Sequence, residues 1–174
     1  MQIRDAIAAD IPGIADIYNH AVAHTTAIWN DQAVDVANRT AWHAERQRLG
    51  YPVLVAVDEN DAVLGYASFG DWRAFDGYRH TVEHSVYVRL DARGQGIGEA
   101  LMQALIVRAK AIGKHVMVAG IEAGNTTSIR LHRKLGFAEV GRLPEVGMKF
   151  GKWLDLAFLQ LVLDDRATPD APLT

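Results

Sequence analysis

The segment VRLDARGQGIGEALMQAL (residues 88–105) sets three glycines two apart, at 94, 96 and 98, and then changes period. Ile97, Leu101, Leu105 and Ala109 recur every four positions, with Ala100, Ala104 and Ile112 beside them, which predicts a helix that starts on the glycines. Glycine reaches positive φ and lets a ligand sit against main-chain N–H groups. A helix start adds unpaired donors and the positive end of a dipole. With Arg93 at the mouth, the run Arg93, Gly94, Gln95, Gly96, Ile97, Gly98 and Glu99 is a candidate phosphate cradle.

Two familiar cradles do not fit. A P-loop requires G-x-x-x-x-G-K-[ST], but Gly98 is followed by Glu99 and Ala100. A dinucleotide fingerprint requires G-x-G-x-x-G after the first strand of a βαβ series. Here position 99 is Glu, and the preceding chain reads as a meander. Its strands are PVLVAVD (52–58), DAVLGYASFGDW (61–72) and HTVEHSVYV (80–88), with the aromatic and charged stretch RAFDGYR (73–79) before the last.

Further out, QIRDA (2–6) reads as a strand, and a helix follows with Asp10 as its cap and Pro12 in its first turn. The stretch 24–32 is a polar loop carrying Trp29. A second helix is capped by Asp35 and ends at Gly50. Downstream, HVMVAGIE (115–122) is almost wholly apolar and therefore central in a sheet. A short helix over 125–137, strands over 138–144 and 153–163, and an acidic, proline-containing tail complete the chain. The expectation is one α/β domain over 1–163 with a flexible tail over 164–174.

Bulk composition narrows the function. At 174 residues the chain makes one domain with a real core. A net charge of −3 argues against nucleic acid as partner. The absence of cysteine excludes a thiolate nucleophile and a disulfide framework, and fits a reducing, cytoplasmic setting. No secretory signal is visible in MQIRDAIAAD, and no apolar run approaches the roughly 20 residues that span a bilayer, so no membrane partner is expected. His80 and His84 are four apart, as are His20 and His24, but no H-E-x-x-H or third ligand accompanies them, so no metal is expected.

The run Arg93–Gly98 reads as R-x-x-G-x-G after Val86-Tyr87-Val88, and so resembles the acetyl-coenzyme-A loop of the GNAT superfamily of N-acetyltransferases. The order of elements resembles that fold too: a mixed, mostly antiparallel sheet of about seven strands flanked by about four helices. NTTSIRLHRKLGF (125–137) is similar to the superfamily's second signature. YNHAVAHTTAIWN, TVEHSVYV and GMKFGKWLDLAFLQLVL resemble the branch of phosphinothricin and methionine sulfone/sulfoximine acetyltransferases.

This resemblance implies roles. Acetyl-CoA is the expected acetyl donor, and a small amino-acid-like amine the acceptor. Glu83 is the candidate base: a carboxylate in a partly dry cleft attracts the ammonium, orients it and takes its proton. The Val88 N–H is the expected oxyanion donor. Val86, Tyr87 and Val88 pair with the pantetheine arm, residues 94–99 hold the pyrophosphate, and Asn125, Ser128 and Lys134 complete the cofactor set. Where many relatives carry a tyrosine acid, this chain has His132. A protonated His132 could serve, while a thiolate, judged by the cysteine value near pKa ~8.5, can also leave unaided.

Arg73 would clamp an α-carboxylate and Phe75 pack on the side chain, with Ala74, His84, Ser85 and Trp29 also facing the substrate. A regular strand would turn His84 away from Glu83, and a bulge would bring it back. Lys149 and Trp153 would close the site from a neighbouring subunit of a homodimer. Other amines (a peptide N-terminus, a polyamine, an aminoglycoside) and a non-catalytic acyl-CoA sensor are the alternatives.

Overall fold

A computed structural model describes residues 1–172. The chain runs β1 (Gln2–Asp5), α1 (Ile11–His24), α2 (Val36–Arg48), β2 (Val53–Val57), β3 (Val63–Asp71), β4 (Thr81–Val88), α3 (Ile97–Ala111), β5 (Val116–Glu122), α4 (Thr126–Lys134), β6 (Ala138–Lys149) and β7 (Lys152–Val162). One seven-stranded sheet takes the order β1-β2-β3-β4-β5-β7-β6. The β4–β5 pair is parallel, and the remaining neighbours are antiparallel. This is the expected mixed α/β architecture.

The period-2 pattern sorts side chains to two faces. On one, Val82 and Met117 join Ile97, Leu101 and Leu105 of α3 in the main core. On the other, Tyr66, Val53 and Val55 pack under Ile14 and Ile17 of α1. Asp35 caps α2 where the sequence places it, its Oδ1 accepting from Asn38 N at 2.8 Å, and Asn125 caps α4, its Oδ1 accepting from Ser128 N at 3.1 Å. Asp10 precedes α1 but caps differently. Its carboxylate accepts the Ile7 N–H at 2.8 Å and Arg4 Nη1 at 2.7 Å, which ties the helix start to β1.

Strand β6 runs five residues beyond the expected end at 144. Pro144 is tolerated because β6 is an edge strand and its register to β7 slips between Leu143 and Gly147. Phe150 and Gly151, at φ 51° and 71°, then close a tight hairpin. Of the expected tail, Asp164 bonds His115 Nδ1 at 2.7 Å, and Arg166 donates to the Gly113 carbonyl at 3.0 Å. Residues 173 and 174 lie outside the described residues. No helix of the described residues is long and apolar enough to cross a membrane.

A splayed pair of strands forms the candidate active site

The site exists because β4 and β5 part company. They pair only over Thr81–Glu83 against Val116–Val118. Beyond Glu83, β4 stays on β3, while β5 stays on β7 through Glu122. Residues of an antiparallel strand point their N–H and C=O to one side, alternately. The Arg89 N–H donates to Leu64 O on β3, and Thr81 O accepts from Trp72 N, so the odd positions of β4 face β3. The main-chain groups of Val86 and Val88 therefore point into the gap, although the Val88 carbonyl accepts a bond from Arg93 Nε at 3.2 Å.

Two cavities meet in this gap, sharing Ala27, Val86, Tyr87, Asn125 and Ser128. The larger, about 600 Å³, is lined by Val86, Tyr87, Val88, Arg93, Gly94, Gly96, Ile97, Gly98, Glu99, Asn125 and Ser128 of the expected cofactor set. Gly94 and Gly96 both sit at φ 78°, and nothing stands within 4 Å of where a Cβ would be. Gly96 caps α3 without a side chain, so the first amides of that helix are left for a ligand. An anionic diphosphate fits this cradle of open main-chain donors beside an exposed Arg93. Gln95 and Lys134 do not line the cavity. Lys134 instead reaches Glu99 at 2.7 Å, bridging the start of α3 to the end of α4.

The second cavity, about 390 Å³, contains Glu83, His84 and Ser85 of the expected acceptor set, together with Arg46, Gly70, Asp71, Gly120, Glu122 and His132. Glu83 lies over Gly120, where an added Cβ would be 2.9 Å from its Oε1. Burial raises the Glu83 pKa above the ordinary carboxylate value, and the charge of Arg73 opposes that rise. Burial pushes the Tyr87 phenol up to about 12, so this wall of the cleft stays neutral.

His84 does point to the opposite face from Glu83, and the β3–β4 ladder carries no register shift over this region. The expected bulge is therefore not needed: both residues reach the cavity because β5 has left. His84 stacks on His132, with ring centroids 4.9 Å apart, and both pack edge-on against Phe137. His132 Nδ1 lies 2.7 Å from the Ser128 carbonyl, and its Nε2 lies 3.0 Å from His84 Nε2. A carbonyl can only accept, so His132 carries its proton on Nδ1, and its bare Nε2 accepts from His84. Burial, then His132, pushes the His84 pKa down to about 3; burial lowers His132 as well. The pair is neutral at physiological pH.

Several expected residues stand elsewhere. The Arg73 guanidinium lies on the Trp72 ring, 4.2 Å from its centroid, in an exposed loop. Phe75 is 78% exposed, and neither it nor Ala74 lines a described cavity. Trp29 donates its indole N–H to Thr26 O at 2.8 Å and lies against Gly147, where any Cβ would collide with its ring. Lys149 is buried and bonded to the Ile28 carbonyl of its own chain, so it clamps the 24–32 loop to the β6–β7 hairpin rather than reaching a neighbouring site. Arg46 was not legible as a site residue. Its only signal is the stripe Arg39, Trp42, Arg46, which puts a cation one helical turn beyond the half-buried Trp42.

The sequence profile of the acetyltransferase (GNAT) family matches residues 14–137, more than half of the chain. The protein belongs to the GNAT family. It is an acetyltransferase. An L-methionine sulfoximine/L-methionine sulfone acetyltransferase of Salmonella typhimurium is 61% identical over 98% of this chain and 99% of its own. A solved acetyltransferase from the same species, with its cofactor acetyl-CoA, superposes with a TM-score of 0.95 at 60% identity, covering 98% of both chains. A phosphinothricin N-acetyltransferase of Alcaligenes faecalis is 38% identical over 89% of this chain and 79% of its own. The splayed strands and glycine cradle of this protein are thus features of a GNAT family member.

Proposed function

We propose that this GNAT enzyme acetylates the amino group of a small α-amino acid of the methionine sulfone, methionine sulfoximine and phosphinothricin type. Acetyl-CoA is the donor and supplies an acetyl thioester. The observation that carries the reading is the single gap between β4 and β5, with open main-chain donors at one end and a half-buried carboxylate at the other.

The chain's own groups divide the work. Residues 93–99 hold the diphosphate, and the gap-facing main-chain groups of Val86 and Val88, on either side of Tyr87, pair with the pantetheine arm as an added strand would. Asn125 and Ser128 border both cavities and fix the arm between them. Gln95 and Lys134 act at the rim of the cradle. Glu83 draws in the ammonium and takes its proton, since an amine near pKa ~8 is mostly cationic at neutral pH. The Val88 N–H, aimed into the gap, donates to the carbonyl oxygen as charge develops there. In the neutral histidine pair, the proton of His132 is committed to Ser128, so the thiolate leaves without an acid from this ring. His132 then holds His84 against the acceptor cavity beside Ser85. Arg73, Ala74 and Phe75 form the outer wall, over which the substrate's far end enters, and Trp29 braces the 24–32 loop beside it.

Acetylation removes the ammonium charge, and with it an amino-acid toxin's hold on its target. A thiol-release assay with acetyl-CoA tests the reading. Methionine sulfone, methionine sulfoximine and phosphinothricin are expected to turn over at least 10-fold faster than spermidine or a peptide N-terminus at equal concentration. Preference for spermidine would overturn it.

The enzyme is further proposed to work as a cytoplasmic homodimer. Leu143, Val146, Met148, Phe150 and Trp153 are exposed together on the β6–β7 hairpin, and apolar clusters of this kind mark interfaces. Trp153, 68% exposed, is the largest of them. Light scattering is expected to give twice the chain mass for the wild type and a monomer for Trp153→Glu. A monomeric wild type would exclude the dimer.

A further inference from the structure

The acceptor cavity holds several ionisable side chains, and most already have partners. Asp71 accepts the Tyr51 hydroxyl, which in turn accepts from Lys114 Nζ at 3.0 Å. Glu122 accepts the Gly124 N–H at 2.8 Å and Thr26 Oγ1 at 3.4 Å. Two charged groups stand apart. Glu83 makes no hydrogen bond or ion pair among the described residues, and neither does the guanidinium of Arg46, whose Nε is buried with no acceptor. Arg46 reaches down from α2 onto Gly70, where any Cβ would collide with it. Gly70 is the direct cross-strand partner of Glu83. A guanidinium from α2, within the field of Asp71 but hydrogen-bonded to nothing, and the unpaired Glu83 carboxylate of β4 therefore lie over adjacent strand positions at one end of the acceptor cavity, without being joined to each other.

Leaving a buried guanidinium donor unsatisfied is costly, and the cost is recovered when an anion arrives. The molecule that satisfies both groups at once is a zwitterion whose ammonium and carboxylate share one carbon. We infer that Arg46 reads the α-carboxylate of the acceptor while Glu83 takes its amine, which makes Arg46 the residue that restricts this enzyme to free amino acids. A polyamine offers Arg46 nothing to bind, and a peptide N-terminus offers a neutral amide. Arg73 is less suited to holding the carboxylate, because its guanidinium rests on Trp72 in an exposed loop, where an ion pair is screened. The inference rests on the proposed amino-acid acetylation and names the group that enforces it.

The test compares methionine sulfone with its carboxamide, which keeps the amine and side chain but removes the negative charge. Wild type is expected to favour the acid by about 10- to 100-fold in kcat/KM, the range for a partly buried charged hydrogen-bond pair. Arg46→Gln is expected to erase most of that preference, mainly through KM for the acid, with kcat/KM for the amide within about threefold of wild type. Arg46→Lys should restore part of the preference. KM for acetyl-CoA serves as the control for an intact fold and should not move.

Equal losses on acid and amide in Arg46→Gln would overturn the inference, because that is the result of a purely structural role. So would an unchanged preference, or a preference that disappears in Arg73→Gln instead. If wild type acetylates neither compound but accepts spermidine, the amino-acid reading itself fails. If wild type acetylates the acid and Arg46→Gln is indifferent, only the role of Arg46 fails.

Discussion

Glu83→Gln is expected to lower kcat by about 10²- to 10³-fold, within the range that positioned general bases supply, and to leave acetyl-CoA affinity unchanged. The amide is nearly isosteric but cannot accept a proton, and Glu83 does not line the larger, cofactor-side cavity. The pH dependence has a definite sign. Glu83 must be ionised to act, and burial holds its pKa above the ordinary carboxylate value. Wild-type kcat/KM should therefore fall as pH drops through that raised pKa, at a higher pH than a solvent-exposed carboxylate would give, and the variant should lose this limb. Gly120→Ala is a second route to the same result, since its Cβ would press on Oε1 from 2.9 Å and displace the carboxylate. Turnover of Glu83→Gln within threefold of wild type would remove Glu83 from the mechanism.

Gly96→Val is expected to raise KM for acetyl-CoA by about 10- to 100-fold, the equivalent of losing one or two charge-assisted hydrogen bonds of roughly 1.5–3 kcal/mol. Gly96 sits at φ 78°, where an L-residue costs about 1–2 kcal/mol, and a β-branched side chain is worse placed than most. Its Cβ would enter space that is open in the cleft, where a diphosphate would lie. Gly50 is the control. It has φ 72° and similar open space but lies outside both cavities, so Gly50→Val should cost comparable stability and leave KM for acetyl-CoA unchanged. An unchanged KM in Gly96→Val, read by isothermal titration or steady-state kinetics, would show that this turn does not carry the cofactor.

Much of this was legible along the chain. The glycine triplet before a four-residue apolar repeat marks a helix seated on a ligand loop, because positive φ and exposed amides are properties of those residues themselves. The switch from period 3.6 to period 2 at Pro52 and back at Gly94 is equally local, and so are the caps at Asp35 and Asn125. Glu83 was legible as a candidate chiefly through the resemblance to the acetyltransferases, with its place as a carboxylate in an otherwise neutral strand in support.

Arg73, Trp29 and Lys149, expected at the site, line neither cavity. Trp29 and Lys149 are large or long side chains whose contacts, Gly147 and Ile28, lie far away in sequence, while Arg73 rests on its neighbour Trp72. Arg46 looked like one more surface charge on a polar helix until α2 was laid across Gly70.

Side-chain chemistry and local periodicity therefore dictated which elements form, in which order, and where an anion would bind. Assembly alone separated β4 from β5 after Glu83, brought His84 and Glu83 from opposite faces to one cavity, and left the Arg46 guanidinium without a hydrogen-bond partner. Strand pairing and side-chain partnership are long-range choices among many near-equal local options, and packing the whole sheet is what resolves them.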